Sequence, residues 1–291
     1  MKITYDLKKQ IEDVIGTGIT SVNSVSGGCI SNAYQLDTKT GKNYFLKYND
    51  HISNDMFLKE ANGLRELSKA GAIRVPEVIL AEKSFILLEF IVSNRPNKNF
   101  FEEFGRKFAQ MHKYSVDCFG FFEDNYIGST EQKNMASETE KTNWTEFYWN
   151  KRILFQYKLA ERNGYAESEL KLGIKRLEAG ISEILSGSKE APSLLHGDLW
   201  SGNYMPDEKG NACLIDPAVY YGHREADLAM TKLFGGFDRQ FYSSYNEAFP
   251  LKEGWQYREN IYKLYHVLNH LNLFGRGYYS HAVSLIKSYI S

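Results

Sequence analysis

A chain of 291 residues is longer than one hydrophobic core usually organises, so its length predicts two lobes. Its composition, 43% hydrophobic, 14% aromatic and 24% charged, excludes a disordered or collagen-like protein. Because 35 lysines and arginines balance 36 aspartates and glutamates, the net charge of −1 provides no positive field for nucleic acid or an anionic membrane. We therefore expect neither as a partner.

The sequence also indicates the compartment. The longest apolar run, residues 85–92, contains Glu89 and is far shorter than the roughly 20 residues that cross a bilayer. The first residues lack the apolar core of a secretory signal. Cys29, Cys118 and Cys213 are an odd number of cysteines without CxxC spacing, which is typical of a reducing compartment and not of a disulfide framework or zinc finger. These observations predict a cytoplasmic protein.

The first third of the chain combines two helical patterns with several extended runs. An opening helix has Thr4 as its N-cap and ends at Gly16, and a second helical stripe over 57–67 ends before Gly71. Five runs have the pattern of strands: 19–25, 33–38, 42–48, 78–81 and 85–91. We expect an antiparallel sheet with one key helix inserted, and we assign residues 1–92 to this first lobe.

Beyond residues 93–97, a polar stretch that suits a linker, the pattern becomes mainly helical. Helical stripes cover residues 101–111, 170–184 and 261–268. Short apolar pieces flanked by His, Gly, Asn and Asp follow the second stripe: 193–195, 204–205 and 213–215. Loops on such small strands often carry function. We expect residues 93–291 to form a mainly helical second lobe, in an α+β fold with the functional site between the lobes.

The strongest chemical signal is the segment HGDLWSGN at 196–203, followed by LIDP at 214–217. Phosphoryl transfer from ATP needs a carboxylate beside the attacking hydroxyl, and it needs oxygen ligands for Mg²⁺, which neutralises the phosphates. We assign Asp198 as the base that accepts the hydroxyl proton, and Asn203 and Asp216 as the metal ligands. These segments therefore predict a kinase that uses ATP and Mg²⁺.

A second half of the site is expected upstream. Kinases of this type hold the α- and β-phosphates with a strand lysine that pairs with a helix glutamate. Lys47 lies in the predicted strand 42–48 and Glu60 lies in the predicted helix 57–67, so the two fit this pairing. Taken alone, each is more simply a solvated charge. Their order relative to Asp198 favours the functional interpretation.

The turn between the first two strands has the sequence SGGCISNA at 26–33. Glycines there let backbone N–H groups approach phosphate oxygens, although a plain hairpin turn explains them as well. We predict further nucleotide contacts in this turn and at the end of the fifth strand, where the hinge of a kinase presents backbone groups to adenine. These predicted contacts are Gly27, Gly28, Cys29, Ser31, Asn32, Glu89 and Ile91. The first lobe is therefore predicted to bind the nucleotide.

Taken together, these segments resemble the fructosamine kinases, also called ketosamine-3-kinases, which are related to aminoglycoside phosphotransferases and choline kinases. The resemblance covers nearly the whole chain, in residues 26–34, 196–203, 215–218, 221–225, 234–237 and 264–272. The HGD-x4-N and IDP elements are shared by many small-molecule kinases, whereas the GGCIS, DLWSGN and YGHRE segments are specific to this family. The resemblance implies a two-lobed protein-kinase-like fold.

The same resemblance implies an acceptor. Members of this family phosphorylate the 3-hydroxyl of a ketosamine with ATP. The 3-phosphate is labile and the amine is released, so such an enzyme acts in deglycation of free or protein-borne fructosamines, ribulosamines or erythrulosamines. By resemblance, Trp200 forms a wall for the sugar-amine, and its aromatic face suits that role.

Other interpretations of these motifs remain. The shared motif fixes ATP chemistry but not the acceptor, which leaves kinases of aminoglycosides, choline or methylthio-sugars as alternatives. A non-catalytic nucleotide-binding scaffold is disfavoured because the base, the metal ligands and the lysine–glutamate pair are all present. A protein kinase is disfavoured because Asp216 is followed by Pro217 instead of Phe-Gly.

Several further residues have simpler interpretations. We interpret His196 as a structural residue of its loop, and His266 and His270 as core residues, because no glutamate completes a zinc motif. The role of Asp227 stays open, with a helix cap or tether in the second lobe as the expectation. For Cys29, filling a turn is simpler than a redox disulfide between two chains that alters ATP binding. We expect a monomer, with a redox-linked dimer as the alternative.

Overall fold

The computed structural model describes residues 3–25, 32–49, 55–187 and 189–290. The helices of the described part are α1 (Tyr5–Ile15), α2 (Met56–Ala70), α3 (Phe100–His112), α4 (Trp144–Tyr148), α5 (Phe155–Arg162), α6 (Ser168–Ile184), α7 (Glu225–Leu233), α8 (Arg239–Ala248), α9 (Trp255–Phe274) and α10 (Tyr279–Ile290). The strands are β1 (Ile19–Ser24), β2 (Asn32–Thr38), β3 (Asn43–Tyr48), β4 (Val78–Ala81), β5 (Phe85–Glu89), β6 (Asn125–Ile127), β7 (Thr130–Gln132), β8 (Ser193–Leu195), β9 (Tyr204–Pro206), β10 (Ala212–Leu214) and β11 (Tyr220–Gly222). A π-helical segment (Trp149–Leu154) joins α4 to α5, and a 3-10 turn (Arg276–Tyr278) joins α9 to α10.

Strands β1 to β5 form one antiparallel sheet in the order β1-β2-β3-β5-β4. Successive side chains of a strand point to opposite faces. In β5, Leu87 packs in the cluster that contains α1, whereas Leu88 packs in the cluster that contains α2. In β3, Leu46 lies on the α1 side. Its neighbour Lys47 therefore faces α2, the helix that carries Glu60.

The ends of these two helices follow the sequence signals. Thr4 Oγ1 accepts a hydrogen bond from the Leu7 amide at 3.2 Å and so caps α1. Gly16 ends α1 and Gly71 ends α2 in the left-handed conformation, with φ of 68° and 59°. The five predicted strands are confirmed, with ends that differ by one or two residues.

The remainder of the chain is mainly helical, which confirms the α+β fold. Helix α3 packs against α8, and α9 packs against α5, α7 and α10. The predicted short strands after α6 are confirmed as β8, β9 and β10. Strand β11, which pairs with β8, and the hairpin β6–β7 were not predicted, because three-residue strands are too short to show alternation. The lobe boundary between residues 92 and 93 stays a prediction.

Within the described ranges, every helix is too short or too polar to cross a bilayer.

Candidate active site

A cavity of about 820 Å³ lies between the sheet with α2 on one side and the helical part of the chain on the other. Its lining brings together predicted site residues from separate stretches of sequence: Lys47, Glu60, Asp198, Trp200, Asn203 and Asp216. The predicted phosphate-binding pair and the predicted base therefore share one cavity.

Lys47 connects the two sides of this cavity. Its Nζ donates to Glu60 Oε1 at 2.7 Å and also to Asp216 Oδ1. Burial alone would lower the pKa of Lys47, but the two carboxylates outweigh this effect and raise it above its usual value. Lys47 is therefore a fixed positive charge on the cavity wall, which is the property that phosphate binding requires.

Asp198 and Asn203 hold each other in the loop after β8. Asn203 Nδ2 donates to the Asp198 backbone carbonyl at 2.7 Å and to Asp198 Oδ2 at 3.2 Å. Burial raises the pKa of Asp198 well above its usual range and the Asp216 carboxylate raises it further, while the hydrogen bond from Asn203 acts in the opposite direction. A carboxylate with a raised pKa is better matched to proton abstraction near neutral pH.

Asp227, in the first turn of α7, holds the loop that carries Asp198. Its Oδ2 accepts from the backbone amide of His196 at 2.7 Å, and its Oδ1 accepts from the amide of Gly197 at 2.8 Å. His112 Nε2 lies 3.2 Å from Oδ2. Burial would raise the pKa of Asp227, but its hydrogen-bond partners lower it below the usual value. Asp227, whose role the sequence left open, therefore tethers the loop that carries Asp198.

Two backbone positions of the site need special conformations. Gly197 has φ of 83°, and a Cβ there would lie 1.9 Å from the Ala218 carbonyl oxygen, so a larger residue does not fit. Asp216 has φ of 53°, a left-handed conformation that is uncommon outside glycine, asparagine and aspartate. His196 Nε2 lies 3.0 Å from the Ile215 carbonyl oxygen, which connects the loop to the chain just before Asp216.

Helix α2 is also fastened to the helical part of the chain. Lys59 Nζ donates to Glu123 Oε2 at 2.7 Å, and Asn62 Nδ2 donates to Glu123 Oε1 at 2.9 Å. Because Glu60 lies on the same helix, these contacts fix its position opposite Lys47. The partners are far apart in the sequence, and no local pattern indicated them.

Trp200 stands in the cavity wall two positions after Asp198, and its side chain is 37% exposed. Gly202 lies directly against the ring, because a Cβ on Gly202 would come within 2.5 Å of Trp200 ring atoms. The absence of a side chain at Gly202 therefore gives the indole its place in the wall, where an aromatic surface is available to a ligand.

The remaining nucleotide contacts stay predictions. Asn32 is exposed at the start of β2, and Ile91 is buried. The Glu89 amide donates to the Glu77 carbonyl at 2.8 Å, and the Glu89 carboxylate accepts from Arg74 at 2.6 Å. The other members of the predicted phosphate turn lie outside the described residues: Gly27, Gly28, Cys29 and Ser31.

A strand lysine paired with a helix glutamate, facing a loop with Asp198 and Asn203 and a following Asp216, defines a phosphotransferase of the protein-kinase-like class. The choline kinase of Streptococcus pneumoniae has the same fold, with a TM-score of 0.65 at 16% identity over 98% of each chain. The chain belongs to the fructosamine kinase family, whose model matches residues 3–291. It is thus an ATP-dependent kinase.

Several relatives match most of the chain. The chloroplastic protein-ribulosamine 3-kinase of Oryza sativa subsp. indica is 41% identical over 283 residues, which cover 94% of this chain and 80% of the relative. A candidate ketoamine kinase of Enterococcus faecium is 35% identical over 98% of this chain and 100% of its own length. The crystal structure of a candidate fructosamine-3-kinase from Thermobifida fusca YX-ER1 has a TM-score of 0.87 at 29% identity, over 98% of this chain and 99% of that one.

The Glu60–Lys47 contact leads to a first prediction. Replacing Glu60 by Gln keeps an acceptor for Lys47 but removes the charge that holds it, and we expect KM for ATP to rise about tenfold, because a hydrogen bond to a charged group contributes ~1.5–3 kcal/mol. Steady-state kinetics with varied ATP measure this change. Glu66→Gln is the matched control, because Glu66 lies on the same helix but accepts from Tyr221 at 2.8 Å. Equal KM values for ATP in the two variants would contradict the assignment.

Proposed function

We propose that this kinase transfers the γ-phosphoryl group of ATP to the 3-hydroxyl of a ketosamine and so acts in the deglycation of fructosamines, ribulosamines or erythrulosamines. Membership of the fructosamine kinase family supports the acceptor, as do relatives named protein-ribulosamine 3-kinase and ketoamine kinase. The observation that carries the proposal is the convergence of Lys47, Asp198, Asn203 and Asp216 on one cavity.

In this proposal each group has one role. Lys47 holds the phosphates of ATP, and Asp198 accepts the proton of the substrate hydroxyl while that oxygen attacks the γ-phosphorus. The bond from the γ-phosphorus to the bridging oxygen breaks, and ADP leaves. Phosphorylation at C3 makes the sugar-amine labile, so the amine is released afterwards.

The oxygen atoms of Asn203 and Asp216 fit a Mg²⁺ ion. Asn203 Nδ2 donates to Asp198, so its Oδ1 is the amide atom that can serve as a metal ligand, and Asp216 Oδ2 is the carboxylate oxygen other than the one that accepts from Lys47. Mg²⁺ prefers such hard oxygen ligands and completes its shell with phosphate oxygens and water. When bound, the ion neutralises charge on the phosphates during transfer.

Two further expectations belong to this proposal. A cytoplasmic location rests on the odd number of cysteines without CxxC spacing. The nucleotide-binding role of residues 1–92 and the catalytic role of residues 93–291 rest on the positions of Lys47 and Asp198.

An ATP-consumption screen tests the acceptor. We expect turnover with ribulose-, erythrulose- or fructose-derived amines and with Mg²⁺, and turnover at least an order of magnitude lower with aminoglycosides or choline, because a site built for one set of hydroxyls leaves polar groups unpaired with another. The product should carry its phosphate on O3, as determined by ³¹P–¹H correlation spectra.

Two outcomes would contradict the proposal. Preferred turnover of an aminoglycoside or choline would assign the site to another small-molecule kinase. ATP binding without turnover of any acceptor would favour the non-catalytic scaffold.

A further inference from the structure

Three side-chain amides in and just after the β6–β7 hairpin form a buried cluster, which we call the amide network: Asn125, Gln132 and Asn134. Asn125 and Gln132 lie opposite each other in the hairpin. Asn125 Oδ1 accepts from Gln132 Nε2 at 2.9 Å and from Asn134 Nδ2 at 2.8 Å. Each of the three residues is 4% exposed or less. Because a buried amide that loses a hydrogen bond leaves its partner unpaired, such a network favours one arrangement.

The amide network holds the backbone that follows Asp216. Gln132 Nε2 donates to the Ala218 carbonyl oxygen at 2.9 Å, and Asn125 Nδ2 donates to the Val219 carbonyl oxygen at 2.8 Å. These carbonyls belong to the second and third residues after Asp216. The left-handed backbone of Asp216 persists because the surrounding structure holds it. The network therefore supplies part of the support for that conformation.

Ala218 also touches the loop that carries Asp198. Its amide donates to the His196 carbonyl oxygen at 2.9 Å, and its own carbonyl oxygen lies against Gly197, where a Cβ would come within 1.9 Å. The carbonyl that accepts from Gln132 is thus the one that packs on the loop. A shift of Ala218 would therefore disturb both the loop of the proposed base and the segment of the proposed metal ligand.

Arg152 fixes the direction in which these amides point. A guanidinium has donors only, and Arg152 Nη2 donates to Asn134 Oδ1 at 2.7 Å. The Nδ2 of Asn134 therefore faces Asn125 Oδ1, and the Nδ2 of Asn125 is left to face the Val219 carbonyl. The donors of the network thus point in one direction, from the guanidinium toward the backbone that follows Asp216.

Arg152 is an unusual residue for a protein interior. It is fully buried, and the oxygens that accept from it in the described part of the chain are neutral: the Asn134 amide and the carbonyls of Lys133 and Lys151. Its guanidinium stacks on the Tyr220 ring, 3.9 Å from the centroid. It lies in the π-helical segment, a geometry that is rare and frequent at functional sites. Because burying a charge without an anionic partner is costly, these features indicate a role beyond packing.

We propose that the amide network and Arg152 position Asp216 as a metal ligand, acting through the backbone of Ala218 and Val219. This inference rests on the metal-binding role of Asp216 in the proposed function, and it adds the residues that hold this ligand in place. Removing an outer group that orients a metal ligand commonly lowers metal affinity by about 10- to 100-fold. The network should therefore affect binding of the nucleotide with Mg²⁺ more than binding of the nucleotide alone.

Calorimetric binding of the non-hydrolysable ATP analogue AMP-PNP, with and without Mg²⁺, tests this proposal in the absence of any acceptor. The measured quantity is the Mg²⁺ gain, the factor by which Mg²⁺ increases the affinity for AMP-PNP. Gln132→Met keeps the size of the side chain but removes its donors, and we expect the Mg²⁺ gain to fall about tenfold. The affinity without Mg²⁺ should stay within about threefold of the wild-type value, because the Lys47–Glu60 pair is unchanged.

Gln156→Met is the matched control. Gln156 is equally buried, but its Nε2 donates to Asn269 Oδ1 of α9 at 3.1 Å. Both variants should lose stability in denaturant unfolding, whereas only Gln132→Met should lose Mg²⁺ gain. An equal Mg²⁺ gain in Gln132→Met and wild type, or an equal fall in the two variants, would overturn the proposal.

Asn134→Asp separates positioning from folding. The new carboxylate accepts from Arg152 as the amide does now and gives this buried cation an anionic partner, so the variant should fold with stability close to that of wild type. It cannot donate to Asn125 Oδ1, and the facing oxygens repel, so the Asn125 amide loses its fixed direction. We expect the Mg²⁺ gain to fall about tenfold here as well. An unchanged Mg²⁺ gain in this variant would overturn the proposal, and this result decides the matter if Gln132→Met does not fold.

The outcomes distinguish this inference from the proposed function. A wild-type protein whose affinity for AMP-PNP does not respond to Mg²⁺ would remove the metal role of Asp216, and this inference with it. Failure to phosphorylate any ketosamine would instead contradict the proposed acceptor and leave the binding test intact.

Discussion

Replacing Asp198 by Asn is expected to lower turnover by about two to four orders of magnitude, because general-base assistance contributes that much to phosphoryl transfer of this kind. The amide keeps the size of the carboxylate and can still accept from Asn203 Nδ2, which also bonds the Asp198 backbone carbonyl. The dissociation constant for ATP should change little, because the Lys47–Glu60 pair is untouched.

Single-turnover kinetics and calorimetric ATP binding measure the two quantities for Asp198→Asn separately. Asp13→Asn, an exposed substitution in α1, serves as the control for the loss of one negative charge. Turnover within a factor of ten of wild type in Asp198→Asn would show that another group accepts the proton, or that none is needed.

The second large effect concerns Asp227, which contacts the loop and not the cavity. Asp227→Asn places an amide N–H₂ opposite one of the two backbone amides, of His196 and Gly197, that the carboxylate now accepts from. Removing one partner of a buried charged network costs about 3–5 kcal/mol. We expect this loss in the free energy of unfolding, together with a fall in kcat of the fraction that remains folded, because the loop carrying Asp198 loses its support.

Asp207 offers a matched control for this positioning role. Its carboxylate is also buried and accepts from two backbone amides, of Lys209 at 2.9 Å and Asn211 at 2.8 Å, but in the turn between β9 and β10. Asp207→Asn should lower stability and leave kcat of the folded protein near the wild-type value. Denaturant unfolding and kcat at a temperature where both variants are folded make the comparison. Equal kcat values in the two variants would show that Asp227 contributes to stability but does not position Asp198.

The same network predicts how stability depends on pH. The pKa of Asp227 is lowered in the folded protein, and burial lowers the pKa of His112, so the unfolded chain binds protons more readily at both groups. Their contribution to stability is fully present above pH ~6.5, the pKa of a histidine in the unfolded chain. It decreases as the pH falls, first because the unfolded chain protonates His112 and then, below pH ~4, because it protonates Asp227. The stability difference between wild type and Asp227→Asn should therefore shrink below pH ~4, as followed by urea unfolding at several pH values.

Local signals were sufficient where one short segment decides the structure. The cap at Thr4 and the left-handed glycines that end α1 and α2 depend on neighbouring residues alone. Strand alternation turns Lys47 toward α2, and the spacing from Asp198 to Asn203 is set within one loop. These features could be predicted because backbone geometry and nearby side chains determine them.

Distant contacts could not be predicted in this way. The sequence does not show that Asp227 accepts hydrogen bonds from the backbone amides of His196 and Gly197. Nor does it show that Glu123 accepts a hydrogen bond from Lys59 of α2. Such pairings depend on how whole helices pack, and a single sequence contains no periodic signal for them. Phe234 and His270 also line the cavity with ring centroids 5.1 Å apart, although Phe234 directly follows α7 and His270 lies on α9, so their proximity exists only in the folded chain.

The left-handed backbone at Asp216 has a consequence for how this activity can be lost. Asparagine adopts that conformation with little strain and matches aspartate in shape. An Asp216→Asn exchange would therefore preserve the turn and the cavity while Lys47 loses one of its two anionic partners. A single conservative replacement, Asp216→Asn, would therefore give a folded protein without kinase activity. This variant is suited to structural studies of the complex with nucleotide and acceptor.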